Sequence, residues 1–238
     1  MTILEIPYKY IQRTQHRHIQ PFPVNHEQYL LIKRTIDIFV CIVSFPFAVI
    51  LGLLISIAIM IDSPGNPVFV QERVGYRGKK FKFYKFRTLW NGYENEEAKE
   101  FMRIYINGGI NGQYEDQDRV AKFKPIQSKD VTKVGKFLRK TSLDELPQLI
   151  NIWRGEMTIV GPRPNVVWEV EAYKPWHNDR LNALPGMTGL AQVLGRSEIS
   201  FDDIVRYDIQ YAKNQSLHMD FWILFRTIGT ILDARGAG

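Results

Sequence analysis

The chain has 238 residues, 45% of them hydrophobic, enough to build a core for one large domain or a domain with an appendage. Its formal charge of +6 suits an anionic partner such as nucleic acid, a membrane surface or a phosphorylated ligand. Zinc knuckles and long Lys/Arg runs are absent, so nucleic acid gains no specific support. Cys41 is the single cysteine, which excludes an internal disulfide and a multi-cysteine metal site.

Residues 1–30 read as a polar N-terminal tail broken by Pro7, Pro21 and Pro23. The apolar core and small-residue cleavage site of a secretory signal are missing. His16 and His18 read as solvated, because no third metal ligand lies nearby. Lys33-Arg34-Thr35-Ile36-Asp37 then leads into an uncharged apolar run, 38–61. A helix of about 24 residues is roughly 36 Å long, enough to cross about 30 Å of hydrocarbon. The plain reading is a single-pass span. Against it, Ser44 and Pro46 interrupt the run, and proline bends a helix. Both flanks are also basic, so charge gives the segment no orientation. A helix that enters and leaves by one face satisfies both flanks, and spanning and re-entrant readings both stand.

Residues 62–67 form a turn cluster, and 68–70 a short strand. After a turn at 75–78, residues 80–87 alternate charge with aromatic, the pattern of a β-strand with one basic face. That face is either solvated or presents Lys85 and Arg87 to a phosphate. Residues 94–105 read as a helix and 107–112 as a loop, without chemistry assigned to 91–127. A further helix covers 134–139.

The stretch 139–164 carries the densest chemistry. Two adjacent carboxylates, Asp144 and Glu145, stand near its start, and Pro162-Arg163-Pro164 ends it. A carboxylate pair can hold Mg²⁺, and guanidinium forks grip phosphate oxygens. The same residues have a plainer reading. Ser142-x-x-Glu145 is a capping box, and the two prolines make a stiff loop. Beyond, 148–153 reads as a short helix capped by Gly155, 158–160 as a strand, 166–173 as a helix, and 184–193 as a turn and strand. Ser200 to Asp203 opens a helix over 200–212. Residues 220–232 form an apolar helix, either core or lying in a membrane interface.

Several ordered blocks make the chain resemble the bacterial sugar transferases, monotopic polyprenyl-phosphate phosphoglycosyl transferases, over about residues 30–236. They are Lys33-Arg34-x-x-Asp37, Tyr84-Lys85-Phe86-Arg87-Thr88, the run from Leu138 through Asp144-Glu145 to Gln148, Arg154-Gly155-Glu156-Met157, Gly161-Pro162-Arg163-Pro164, Pro185-Gly186-Met187-Thr188-Gly189 and Arg235-Gly236-Ala237. The resemblance implies an α+β fold, mainly helical with short strands. It implies a tail over 1–30, a re-entrant membrane helix over 31–62 and a cytoplasmic catalytic domain with interfacial helices over 63–238. The helix is anchored by Lys33, Arg34 and Asp37 and kinked at Ser44 and Pro46. The implied enzyme sits on the cytoplasmic face of the bacterial inner membrane. It moves a sugar-1-phosphate from a UDP-sugar to undecaprenyl phosphate and releases UMP.

Asp144 matches the family's nucleophile, and Glu145 the residue that helps hold Mg²⁺. Arg139 and Arg163 match phosphate or nucleotide contacts, with Lys85, Arg87 and Arg196 as further substrate-binding candidates. Two departures stand out. The kink reads Ser44-Phe45-Pro46 rather than adjacent Ser-Pro, and the usual Asn-Gly-Arg-Asn reads Leu194-Gly195-Arg196-Ser197. Membrane lipid is an implied partner, and a homodimer is left open. Two competing classes are a non-catalytic membrane-anchored module binding anionic lipid or polymer, and a glycosyltransferase that moves only the sugar and releases UDP.

Overall fold

A computed structural model describes residues 25–90, 96–107, 129–195 and 199–232. His16, His18, residues 108–112 and Arg196 lie outside them. The chain is mostly helical with a few short strands. Helix α1, His26–Asp62, is followed by strands β1, Val68–Val74, and β2, Lys80–Phe86. After α2, Glu96–Ile106, come α3, Lys133–Thr141, a 3₁₀ helix, Leu143–Gln148, and α4, Leu149–Arg154. The remainder is β3, Thr158–Val160, β4, Asn165–Val166, α5, Val167–Glu171, a second 3₁₀ helix, Pro175–Asn182, β5, Gly186–Thr188, α6, Leu190–Leu194, α7, Phe201–Lys213, and α8, Leu217–Leu232.

Helix α1 begins at His26, five residues before the expected boundary. Asn25 caps it through a capping box with Gln28, a signal the proline-rich tail obscured. The helix runs through Pro46 as one assigned element of 37 residues. Ser44 Oγ turns back on the carbonyls of Val40, at 2.7 Å, and Cys41, at 3.3 Å. Only 11% of the most apolar window of α1 is buried, where a soluble core helix would be mostly buried. Phe45, Phe47, Ile50 and Leu53 are all exposed. A contiguous apolar surface of this kind marks a membrane-associated protein.

The two parts of α1 that flank this surface are docked. Tyr29, Lys33, Asp37 and Cys41, spaced four apart, bury one stripe at its start, and Ile55 and Ile59 bury another near its end. Cys41 packs with Phe83, Ile152 and Met157. Ile55 and Ile59 pack with Phe86 and Leu138. Asp62 Oδ2 accepts the backbone N–H of Val134 at 2.8 Å, so the end of α1 caps the start of α3.

Strands β1 and β2 pair as an antiparallel hairpin from Val68–Phe86 to Val74–Lys80, and β4 joins the other edge of β1. Strands β3 and β5 form a separate parallel pair. Residues 190–193, the end of the expected turn and strand, lie instead in helix α6. The largest core cluster packs Val160, Leu190, Tyr207, Tyr211 and Ile223 between that pair and helices α6, α7 and α8.

Two motif blocks are explained by backbone contact. A Cβ on Gly161 would sit 2.2 Å from the Leu184 carbonyl, and one on Gly186 would sit 2.1 Å from the Gly161 nitrogen. Only glycine lets the chains approach so closely. Gly161 N–H reaches the Thr188 carbonyl and Gly186 N–H the Pro162 carbonyl. The β3–β5 pair thus carries the Pro-Arg-Pro loop.

Candidate active site

The site is assembled where α3 hands over to the first 3₁₀ helix. Ser142 adopts φ 56, ψ 17, a left-handed conformation uncommon outside glycine. It ends α3 and starts the 3₁₀ helix, placing Asp144 and Glu145 in its first turn. The capping-box explanation of this segment fails. The Ser142 side chain makes no capping bond. Glu145 Oε1 instead accepts from Arg163 Nη1 at 2.9 Å.

Asp144 is 9% exposed, and burial is the largest influence on its carboxyl, pushing its pKa up. The adjacent Glu145 pushes the same way, while Lys85, Arg139 and Arg163 pull it down. The expected residues from three separate segments therefore converge on one carboxylate. Lys85, on β2, is half-buried with its ammonium 5.8 Å from the Phe69 ring centre. Its pKa is lowered to about 8, chiefly by burial, with the neighbouring Arg163, Arg139 and Arg73 pushing the same way against the pull of Asp144. Arg139, in the last turn of α3, is steered by Nε donating to Thr88 Oγ1 at 3.0 Å.

Arg163 is held from behind by two guanidiniums that the sequence did not single out. Arg180 Nη2 donates to the Arg163 carbonyl at 3.1 Å, and Arg73 Nη1 to the Pro164 carbonyl at 2.7 Å. Arg180 is itself fully buried, paired with Asp208 and bonded to Tyr173 Oη and Asn165 Oδ1. Backbone carbonyls gripped by fixed cations give the loop a set position. The Arg163 side chain remains half-exposed at its tip, where an anionic ligand can reach it. Its pKa is raised above the usual arginine range, chiefly by Glu145.

The structure does not bring Arg87 to this place. Strand β2 ends at Phe86, so the alternation that put Lys85 and Arg87 on one face stops there. Arg87 is buried, and its Nη2 donates to the Ser63 carbonyl at the end of α1. It tethers the hairpin to the helix. Lys33, Arg34 and Asp37 are likewise tied into the folded body. Lys33 Nζ lies 2.7 Å from Asp220 Oδ2 and 3.2 Å from Tyr211 Oη. Arg34 donates to the carbonyls of Ile152 and Trp153, near the C-terminal end of α4, and Asp37 Oδ1 accepts from Ile159 N–H. The block Arg154-Gly155-Glu156-Met157 bolts α4 to β2. Gly155 caps α4 at φ 74, and buried Asn151 bonds Glu156 Oε2 and the Lys82 carbonyl.

Among the described residues no group of three or more His, Cys, Asp or Glu could hold a metal. The carboxylates of Asp144 and Glu145 are hard oxygen donors, and Mg²⁺ is commonly held by one or two carboxylates plus substrate phosphates. The donor set fits such a shared site and does not fit an all-protein cage.

Residues 28–234 match the bacterial sugar transferase family. The chain is 41% identical over 207 residues to a UDP-galactose-lipid carrier transferase of Erwinia amylovora, covering 87% of this chain and 41% of that protein. It is 40% identical to an undecaprenyl-phosphate galactose phosphotransferase of Salmonella typhimurium, covering 87% and 41%. With the exopolysaccharide production protein ExoY of Rhizobium meliloti it shares 39% identity, covering 87% of this chain and 88% of that one. The chain thus spans about two fifths of the first two relatives and most of the third. It is a member of the bacterial sugar transferase family.

Proposed function

We propose that the protein is a phosphoglycosyl transferase that moves a sugar-1-phosphate from a UDP-sugar to undecaprenyl phosphate. The observation that carries the reading is the buried carboxylate of Asp144 facing Lys85, Arg139 and Arg163. Lys85, Arg139 and Arg163 stand against the two carboxylates Asp144 and Glu145, and this cation excess suits an anionic phosphate substrate. The names of the relatives, which include a lipid carrier transferase and an undecaprenyl-phosphate phosphotransferase, point the same way.

In the first step an oxygen of Asp144 attacks the sugar-bearing phosphorus. The bond from that phosphorus to the bridging oxygen breaks, and UMP leaves with the bridging oxygen. The product is an acyl phosphate, so one anhydride replaces another and the step need not be steeply uphill. In the second step an oxygen of the lipid phosphate attacks the same phosphorus and Asp144 leaves as carboxylate. A covalent carboxylate relay suits a soluble donor and a membrane-bound acceptor. Arg163 and Arg139 take phosphate oxygens, and Lys85 offsets charge that develops on the transferring group. Asp144 and Glu145 would hold Mg²⁺ with the donor phosphates, and the ion would neutralise pyrophosphate charge.

The two ends of α1 support a reading of membrane placement. Asp37 and Asp62 bracket the apolar stretch, and both accept backbone N–H groups of one folded body. A segment pinned to one body at both ends favours re-entrance over spanning. The protein would then sit on the cytoplasmic face of the bacterial inner membrane, where UDP-sugars are found. The exposed Phe221 and Phe225 of α8 suit an interfacial position. The homodimer has no support in the names of the relatives and is not proposed. UMP release by membrane-extracted protein against a panel of UDP-sugars tests the reading. UDP as the product would point to sugar-only transfer, and no nucleotide product at all would favour the anchored binding module.

A further inference from the structure

We propose that Gln71 is a further donor-binding residue: its carboxamide, held in one orientation by Arg73, donates a hydrogen bond to an oxygen of the bound UDP-sugar. The inference rests on the proposed transferase reading and deepens it. The antiparallel register pairs Phe69 with Lys85, Gln71 with Phe83 and Arg73 with Phe81, so these side chains share one face of the β1–β2 hairpin. Lys85 is the member of that face already assigned to the site. Gln71 stands diagonal to it, roughly 7–8 Å away across the strands.

Arg73 fixes which way the Gln71 amide points. Arg73 Nε and Nη2 both donate to Gln71 Oε1, at 3.1 and 2.8 Å. A guanidinium carries donors only, so the atom facing it is the carboxamide oxygen and the NH2 group is turned away. Arg73 is itself held in place. Its Nη1 donates to the Pro164 carbonyl at 2.7 Å, and its guanidinium lies 5.0 Å from the Phe83 ring centre. Burial first, and the Arg163 guanidinium second, lower its pKa to about 10, which leaves it charged at neutral pH. One arginine thus sets both the Pro-Arg-Pro loop and the neighbouring amide.

The NH2 group of Gln71 meets no acceptor among the described residues, and the side chain is half-buried. A donor already held in one heading loses little rotamer freedom when a ligand arrives. Its place favours the soluble donor over the lipid. Arg87 ties the open end of the hairpin to the end of α1, and Arg73 ties the part near the turn to the Pro-Arg-Pro loop. Gln71 lies on the Arg73 side of Lys85, so a ligand spanning Lys85 and Gln71 extends away from that end of α1. The oxygens it offers belong to the diphosphate or to the sugar, and a neutral N–H serves either. A purely structural Gln71 would only brace Arg73, a task its oxygen performs alone.

That difference supplies the test. Gln71→Glu keeps an oxygen for Arg73 but has no N–H, and Gln71→Met removes both the brace and the donor. Glu72→Gln is the control, since Glu72 lies on the other face of the hairpin and pairs with exposed Lys80. Detergent-solubilised protein is assayed for UMP release with polyprenyl phosphate and the UDP-sugar of the panel that turns over fastest. UDP, which lacks the sugar, serves as a competitive inhibitor. The expected result is a rise of about tenfold in donor KM in both Gln71 variants, with KM for polyprenyl phosphate unchanged and Glu72→Gln unaltered. An unchanged Ki for UDP assigns the contact to the sugar, and a Ki raised in step with KM assigns it to the diphosphate. Arg73→Lys should also raise donor KM. Adding Gln71→Met to it should cost less than the product of the two single effects, because the amide is aimed only while Arg73 holds it. Fully multiplicative effects would overturn the positioning role of Arg73. A wild-type donor KM in Gln71→Glu would reduce Gln71 to a brace, and one in Gln71→Met would leave only charge repulsion in the Glu variant. Either outcome overturns the contact and leaves the transferase reading intact. No UMP release by the wild-type protein with any UDP-sugar would overturn the reaction, and the contact with it.

Discussion

Lys85 should set an alkaline limit on donor binding. Its pKa is lowered from 10.5 to about 8, first by burial and then by the cations beside it. Below that value it carries the charge a phosphate needs. Above it the charged fraction falls about tenfold per pH unit, and kcat/KM for the donor should fall in proportion. The stability effect of this group has the opposite sign. Between about pH 8 and 10.5 the folded protein holds fewer protons on Lys85 than the unfolded chain does, so its contribution to stability rises with pH. Loss of activity in this window is therefore not caused by unfolding through Lys85. The discriminating variant is Lys85→Arg, whose guanidinium stays charged throughout. Its absolute rate should be lower because a planar fork replaces a point charge, but its profile should be flat across pH 8. Initial rates of UMP release at subsaturating donor, from about pH 7 to 9.5, measure both. A wild-type profile without a limb near pH 8, or the same limb in Lys85→Arg, would refute the assignment of the charge to Lys85.

Arg163→Lys should lose most activity although the charge is kept, because an ammonium cannot reproduce a planar two-pronged grip on phosphate; near-normal kinetics would show that Arg163 acts as a point charge or only structurally. Lys33→Met should destabilise the protein by about 3–5 kcal/mol, since it leaves the Asp220 carboxylate buried without its cation. That loss corresponds to a fall in Tm of roughly 6–20 °C for a chain of this size. Adding Asp220→Asn should recover part of it by removing the uncompensated charge, and an unaltered Tm in Lys33→Met would contradict the burial argument. For topology, cysteines placed at the exposed positions Gln28 and Lys79 in a Cys41→Ala background should label from the same side of the membrane. Labelling from opposite sides would restore the single-pass span.

Local features were legible in the sequence where local chemistry decides them. The apolar run of α1, the charge–aromatic alternation of β2 and the glycine after α4 are each set by neighbours in the chain. The positions of Lys85, Arg139 and Arg163 around Asp144 came from motif blocks, and the fold brings those blocks together. What escaped the sequence reading depends on long-range contact. Arg73 is 91 residues from the Pro164 carbonyl it holds, and Arg180 is 17 residues from that of Arg163. No spacing rule connects such pairs. Their one sequence signal was indirect, since a stiff loop that presents an arginine needs something to hold its carbonyls. Arg87 went astray for a different reason. Period-2 alternation assigns a face only while the strand lasts, and β2 ends one residue earlier. Lys33, Arg34 and Asp37 read as anchors at the membrane boundary. Their bonds into α4, β3 and α8 became visible only in three dimensions.

The central claim is that Asp144 becomes covalently bound to the sugar phosphate, and intact mass tests it most directly. Solubilised protein incubated with a UDP-sugar and Mg²⁺, without lipid acceptor, should gain the mass of one sugar phosphate and release an equal amount of UMP. Adding lipid phosphate should discharge the adduct, as ping-pong kinetics require. Asp144→Asn should keep the fold, because the amide is nearly isosteric, yet show neither adduct nor UMP. UMP release by Asp144→Asn at the wild-type rate would contradict the account.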